Sequence, residues 1–442
     1  MMIPALILSV GASIWLVRRG GFLSPTAVLA ATLTLQLAVF YVVAVQGVYP
    51  ERIDRAWQVT NDYDSVAPGV AVGYLGMIAL CVIASFVSGE RRSAKRARRL
   101  EVRDGDQLSR LLDPYLVSGP ALVVTIWAIA LLGVHAVLID RSQVLLHFEY
   151  LAIRDPEVVG LRPGVMAFVH RNIPMLGVLF GPLVGYYWAR RHWLFCALSA
   201  VVFLYCGFIT LAFGSRFVVV QLAGLAIALY LMGSVRLRRF ALAIVIVIAL
   251  VYPPMMELRR GQEHGISAFG RQFSRQPLPT SDLALFAIFN FSIGGFVFAD
   301  ALDQPPVDYP WQYKMLSFSP FPSFLDGFGS FRHFEHRVTA ISPFSNLAEA
   351  YHFGVPWLVA FVLCLFVVLV VMARFWSRFH GGGALLVMLP THYALLRMHS
   401  YPIRHTWRWL VFSVVMTLVI GALFEKQRAG KSAYGRPSEE VL

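Results

Sequence analysis

The side chains of this sequence best suited to chemistry are arginines and histidines, and they gather in four places. In the first, Phe213-Gly214-Ser215-Arg216 closes one apolar run and another begins immediately afterwards. An arginine there is costly unless it faces a cavity or a partner, or snorkels to the interface. In the second, Arg259-Arg260 follows an apolar run and is itself followed by Arg271 and Arg275. The third is Arg332-His333 with His336-Arg337, in a stretch opened by Gly327 and Gly329. Histidine is the side chain best suited to moving protons near neutral pH. Two histidines so close could also hold a metal, but no compact carboxylate cluster accompanies them, and none is expected.

The fourth place is the run from Ser342 to Gly354. Ser342-Pro343 reads as a helix start, N-cap then first helical residue, which puts Glu349 late in that helix and His352 one turn on. Such a carboxylate is either a base or the partner of an arginine, and pairing is the commoner fate.

These groups have to be held by membrane helices. The 442 residues are 57% hydrophobic and 14% charged, too apolar for a soluble domain. Runs long enough to span fall near 2–17, 23–46, 67–88, 118–139, 173–189, 193–213, 217–235, 240–256, 354–373, 384–400 and 407–424. The expected fold is therefore all-α, a polytopic bundle of about 11 spans. Its parts are an N-terminal bundle over 1–256, a large extracytoplasmic loop over 257–353 between the eighth and ninth spans, C-terminal spans over 354–424, and a cytoplasmic tail over 425–442. Apolar pieces in the loop such as Leu283 to Phe298 are expected to pack as re-entrant or amphipathic helices against the bundle.

Charge sets the expected orientation. The first run is followed, not preceded, by Arg18-Arg19, so it reads as a permanent helix with its N-terminus outside. The segments then placed inside hold 21 Lys and Arg against 8 acidic residues, and those outside hold 17 of each, so the whole net charge of +13 lies on the cytoplasmic side. The basic run Arg91 to Arg99 is accordingly a topology anchor, and no nucleic-acid partner is expected. Of the 17 outer basic residues only Lys314 is lysine. Guanidinium groups bind phosphate bidentately and stay charged when partly desolvated, so an outer pyrophosphate or similar polyanion is the expected ligand, with ion pairing to the outer acids as the competing use. Cys81, Cys196, Cys206 and Cys364 sit in separate apolar runs and read as core residues. No nucleotide-binding glycine loop and no Gly-x-Ser-x-Gly elbow is present, which leaves ATP-driven and serine-hydrolase chemistry without support.

In this order the pieces resemble the bacterial Wzy-type O-antigen (oligosaccharide repeat-unit) polymerases and their relatives the O-antigen ligases. Gly214-Ser215-Arg216 is similar to the family's Ser-Arg motif. The segment from Asn346 through Ala348, Glu349 and Tyr351 to Gly354 resembles its acidic-aromatic-glycine segment before a late span, and Arg397 resembles an arginine at the end of the tenth span. Arg259 with Gly270 also fits an arginine–glycine spacing of the family, but with 34 glycines in 442 residues one such match is expected by chance. The resemblance implies a GT-C-like membrane glycosyltransferase in the bacterial inner (plasma) membrane, N-terminus outside and C-terminus cytoplasmic, making lipopolysaccharide or another surface polysaccharide. It implies that undecaprenyl-pyrophosphate-linked glycans are the substrates and membrane lipids the surroundings, with a chain-length regulator and a flippase as candidate partners and no cofactor or metal. Arg216, Arg259, Arg260, Arg337 and Arg397 would hold the pyrophosphate. His336, His333 and Glu349, in that order, are candidates for the base. An O-antigen ligase shares this donor chemistry. A transporter is the more distant alternative, since the apolar runs contain no acidic residue and no internal repeat.

Overall fold

The computed structural model describes residues 1–45, 63–90, 112–145, 157–162, 164–215, 217–232, 235–258, 265–275, 288, 293–305, 308–321, 323–335, 345–379 and 382–434. Regular structure among them is helical throughout, without a strand. In chain order the principal helices are α1 (Met2–Gly20), α2 (Pro25–Phe40), α3 (Tyr63–Ser88), α4 (Gly119–Leu138), α5 (Val165–Arg190), α6 (Trp193–Ala212), α7 (Phe217–Met232), α8 (Val235–Leu258), α9 (Ile266–Arg275), α10 (Gly294–Asp303), α11 (Trp311–Ser317), α12 (Asn346–His352), α13 (Val355–Arg378), α14 (Gly382–Arg397) and α15 (Ile403–Tyr434). Nine helices of the described residues are long and apolar enough to cross a membrane, and two shorter apolar helices lie at Phe217–Met232 and Ala384–Arg397. Helices suit these sequences because hydrocarbon offers no water to satisfy backbone N–H and C=O groups. The protein is therefore an all-α, multi-pass membrane protein.

The chain forms two compact units, Met1–Asp104 with Phe289–His380 and Val387–Leu442, and Gly105–Ile288 with Gly381–Leu386. In the second unit a glycine stripe with a four-residue repeat, Gly177, Gly181 and Gly185, lets α5 lie directly on α7. A Cβ at Gly181 would sit 2.7 Å from the Gln221 carbonyl oxygen, and one at Gly185 would sit 2.8 Å from the Ala228 Cβ. Buried Gln221 bridges this seam, its amide donating to the Pro174 carbonyl and the Thr210 hydroxyl, both at 3.1 Å. A second polar group joins α4, α5 and α6. His135 Nε2 and His170 Nδ1 are 2.9 Å apart, and His135 Nδ1 lies 2.7 Å from the Tyr205 hydroxyl.

In the first unit α1, α2, α3 and α13 pack side by side. One end of this group is polar and basic. Buried Glu90 accepts hydrogen bonds from Ser24, Thr26 and Ser85, the Trp376 indole donates to the Gly20 carbonyl at 3.1 Å, and Arg374 reaches the Val87 carbonyl. Burial drives the Glu90 carboxyl up despite those donors. At the other end, α10 is inserted against α2 and α3. Gly295 approaches Phe40 so closely that a Cβ would meet it at 2.9 Å, and Phe298 fills the space over Gly73. The Tyr63 hydroxyl donates to Asp300 at 3.0 Å, and His352 Nε2 lies 2.8 Å from the Ala301 carbonyl, which ties α3, α10 and α12 together. A helix of 24 residues such as α13 is about 36 Å long, so these two polar ends are well separated.

Candidate functional site

The site is assembled at the α12 end of the first unit, where α11, α12 and the turn between α14 and α15 converge. Helix α12 begins at Asn346, with Ser345 as its N-cap: the Ser345 side chain accepts the Ala348 N–H at 3.1 Å. The helix start expected at Ser342-Pro343 is corrected by three residues, because Ser345 supplies the capping oxygen. Ser342, Pro343 and Phe344 lie outside the described residues. Glu349 consequently stands near the beginning of the helix and not late in it. Gly354, with φ 96, ends the segment in a conformation that favours glycine and starts α13.

Glu349 is 2% exposed, and both of its oxygens are engaged. Oε1 accepts from the Tyr313 hydroxyl at 2.7 Å, and Oε2 accepts from the Ile403 N–H at 2.6 Å. Ile403 opens α15, so the carboxylate satisfies one of that helix's orphan donors and faces the positive end of its dipole. Aromatic rings enclose the pair. Tyr309 stacks on Tyr313 at 5.1 Å, Phe328 at 5.6 Å, and Phe353 meets the Tyr313 ring edge-on at 5.8 Å. Burial in this apolar case pushes the Glu349 carboxyl up to about 7; the two hydrogen bonds oppose the shift, and the nearby Glu335 charge adds to it. No described arginine pairs with Glu349, so the expectation of an arginine partner gives way to a tyrosine and a helix amide.

Asn346 fixes the α14–α15 turn to α12. Its backbone N–H donates to Met398 O at 2.8 Å, its side-chain amide donates to Tyr401 O at 2.6 Å, and its carbonyl oxygen accepts from Thr406 at 2.7 Å. On the held turn, the half-buried Arg397 lays its guanidinium over Tyr401 at 3.6 Å and Tyr393 at 5.0 Å. Stacking uses the faces of the guanidinium, while its N–H donors lie in the plane.

Arg404 has a different fate. It is buried, Nη1 donates to Leu316 O at 2.6 Å and Ser319 O at 3.0 Å, and Nη2 donates to Phe321 O at 2.7 Å and pairs with Asp326 at 2.7 Å. This arginine is a staple for the segment after α11. Burial pushes the Asp326 carboxyl up, but donors from Ser319, Arg404 and the Phe328 amide, with the Arg404 charge, outweigh it and hold it below its usual range. Its neighbour His405 pairs through Nε2 with Glu335 at 3.3 Å, with side chains 42% and 25% exposed. The His405 ring lies 6.2 Å from that of Tyr401.

Of the residues singled out in the sequence, Glu349 and Arg397 are brought into this one layer, joined through Asn346. His333 is exposed, with its ring 4.0 Å from that of Phe334. Arg216, Arg259, Arg260, His336 and Arg337 lie outside the described residues. Tyr313, Arg404 and the His405–Glu335 pair are the members that sequence reasoning missed as functional groups. The signal available for His405 was its place in the arginine-bearing turn, Arg397 to Arg408. Among the described residues no group of three or more His, Cys, Asp or Glu side chains could hold a metal ion. Chemically, the layer offers a held guanidinium for an anion and titratable groups for a proton. No family model matches the sequence, no curated protein matches it, and no solved structure matches its fold.

Proposed function

We propose that this protein is a membrane glycosyltransferase that polymerises undecaprenyl-pyrophosphate-linked oligosaccharide repeat units into a surface polysaccharide on the outer face of the bacterial inner membrane. The observation that carries the reading is Arg397. Its guanidinium is clamped on Tyr401 at 3.6 Å, at a turn locked to α12, in a helical membrane protein. A preorganised guanidinium stabilises the charge that develops on a departing lipid pyrophosphate and needs no metal for it. Arg216, Arg259, Arg260 and Arg337 are proposed as further phosphate ligands on sequence grounds alone, since they lie outside the described residues. The eleven-span, GT-C-like plan counts Phe217–Met232 and Ala384–Arg397 as spans.

The orientation proposed, N-terminus outside and C-terminus cytoplasmic, is supported by the polarity of the first unit. Arg19, beside Phe86 of α3, lies at the same end as Arg374 and Arg378 of α13, and the candidate site lies at the other. The site end also bears arginines, but with acids beside them, Asp326 against Arg404 and Glu335 against His405, so the excess of positive charge is assigned to the Arg19 end. Glu349 is a positioning residue here, since its oxygens hold α11 and the start of α15 and so brace the turn that bears Arg397.

The test is a gel of surface polysaccharide from cells carrying Arg397→Ala, with membrane protein abundance measured alongside. The expected result is collapse of the long-chain ladder to a single repeat unit at normal abundance. Loss of all decoration of the lipid core would transfer the reading to an O-antigen ligase. An unchanged ladder refutes the anion role of Arg397.

A further inference from the structure

Glycosyl transfer to a hydroxyl needs an acceptor for that hydroxyl's proton, and the three sequence candidates fare unequally. Glu349 is sealed at 2% exposure with both oxygens engaged. His333 is exposed on Phe334, and no described carboxylate pairs with it. His336 lies outside the described residues. Other described histidines of this unit, His352, His392 and His399, are buried.

We infer that His405, oriented by Glu335, is the general base of the transfer; this rests on the glycosyltransferase reading above. Glu335 engages Nε2 at 3.3 Å, which selects the tautomer with hydrogen on Nε2 and leaves Nδ1 as the acceptor. His405, at the first turn of α15, has its side chain 42% exposed and Glu335 25%, whereas the neighbouring Arg404 is buried. Arg397 and His405 flank the same tyrosine. The guanidinium carbon is 3.6 Å from the Tyr401 ring centre and the imidazole centre is 6.2 Å from it, so the two groups are no more than about 10 Å apart. That upper limit is within the reach of the reaction. A base–hydroxyl hydrogen bond, an attacking distance to the anomeric carbon, the bond to the leaving oxygen and a guanidinium contact on the phosphate extend over roughly 10 Å.

The step balances without a further reactant. The acceptor hydroxyl oxygen forms a bond to the anomeric carbon of the growing chain while the bond from that carbon to the pyrophosphate oxygen breaks. The bonding pair leaves with the lipid pyrophosphate against Arg397, and the hydroxyl proton passes to His405 Nδ1 and from there to solvent. Glu335 stabilises the imidazolium while it lasts.

The experiment uses the full-length protein in membranes supplied with lipid-linked repeat units, comparing the wild type with His405→Ala and following chain extension. The expected result is a fall in kcat of about 10²–10⁴-fold with KM within a few-fold, and partial restoration by added imidazole. Imidazole rescue is not a property of a merely structural side chain. Wild-type kcat in His405→Ala, or a lost rate that imidazole does not restore at normal folded abundance, overturns the assignment. If His405→Ala does not accumulate, Glu335→Gln decides: a lowered kcat at unchanged KM supports the pair, and wild-type kcat overturns it. Failure of the wild type itself to extend chains would instead refute the glycosyltransferase reading, so the two failures are distinguishable.

Discussion

Replacing Glu349 by glutamine should make the protein's stability less dependent on pH, and the size of the effect follows from the burial of the carboxyl. The folded state raises this group from an ordinary 4.5 to about 7. Between those values the folded protein holds a proton that the unfolded chain releases, so stability is greatest below pH 4.5 and falls as pH rises towards 7. Moving a carboxyl over that interval corresponds to about 3 kcal/mol. Glutamine keeps the length of the side chain, can still accept the Ile403 N–H through its oxygen, and carries no charge at any pH. The expected outcome is that wild type loses about 2.5 kcal/mol relative to Glu349→Gln between pH 5 and pH 8. The measurement is the unfolding midpoint of detergent-solubilised protein, followed by tryptophan fluorescence across that range. Other titrating groups, the His405–Glu335 pair among them, are common to both proteins and cancel in the difference. Parallel curves for the two proteins would refute the claim that Glu349 is buried in an apolar case.

Arg404→Ala should destabilise by about 3–5 kcal/mol, because it strands Asp326 and three carbonyls at once; the checks are a lowered unfolding midpoint and new protease cleavage between residues 316 and 328. Gly181→Ala should cost about 1–3 kcal/mol, because the added Cβ would meet a backbone oxygen at 2.7 Å that no rotamer change can move; thermal unfolding of the variant checks it, and an unchanged midpoint would contradict the close seating of α5 on α7.

Nine long apolar helices of the described residues were legible in the sequence because hydrocarbon demands long uninterrupted apolar runs, and those runs have few other uses. Glu349 stood out in the sequence because it is the acid next to the mouth of a late span. Its partners did not. Tyr313 and Ile403 are 36 and 54 residues away along the chain, and nothing local to Glu349 distinguishes a carboxyl that will meet an arginine from one that will cap a helix. The same limit explains the cap. Ser342-Pro343 and Ser345-Asn346 are both serviceable helix starts in sequence, and only the Ser345–Ala348 hydrogen bond separates them. The glycine stripe of α5 had a readable spacing, Gly177, Gly181 and Gly185, but its significance depends on the facing residues of α7.

Arg397 and Arg404 show most directly why the site had to be seen folded. They are seven residues apart, of the same type and on the same turn, and either would serve as a phosphate ligand on paper. A guanidinium at a membrane protein's edge has a fixed set of N–H donors, and burial obliges it to satisfy them within the chain. Arg404 engages both of its terminal nitrogens, though not Nε, with three carbonyls and a carboxylate contributed by residues 316–326, and removing those contacts would cost more than a solvent-exposed anion could return. Arg397 is stacked on the faces of two tyrosines, an attachment that helps fix its direction through its π-surface. One arginine holds the segment after α11 in place, and the other is presented by the turn. The two candidates separate by experiment: loss of Arg404 should be read in stability, and loss of Arg397 in chain length at unchanged abundance.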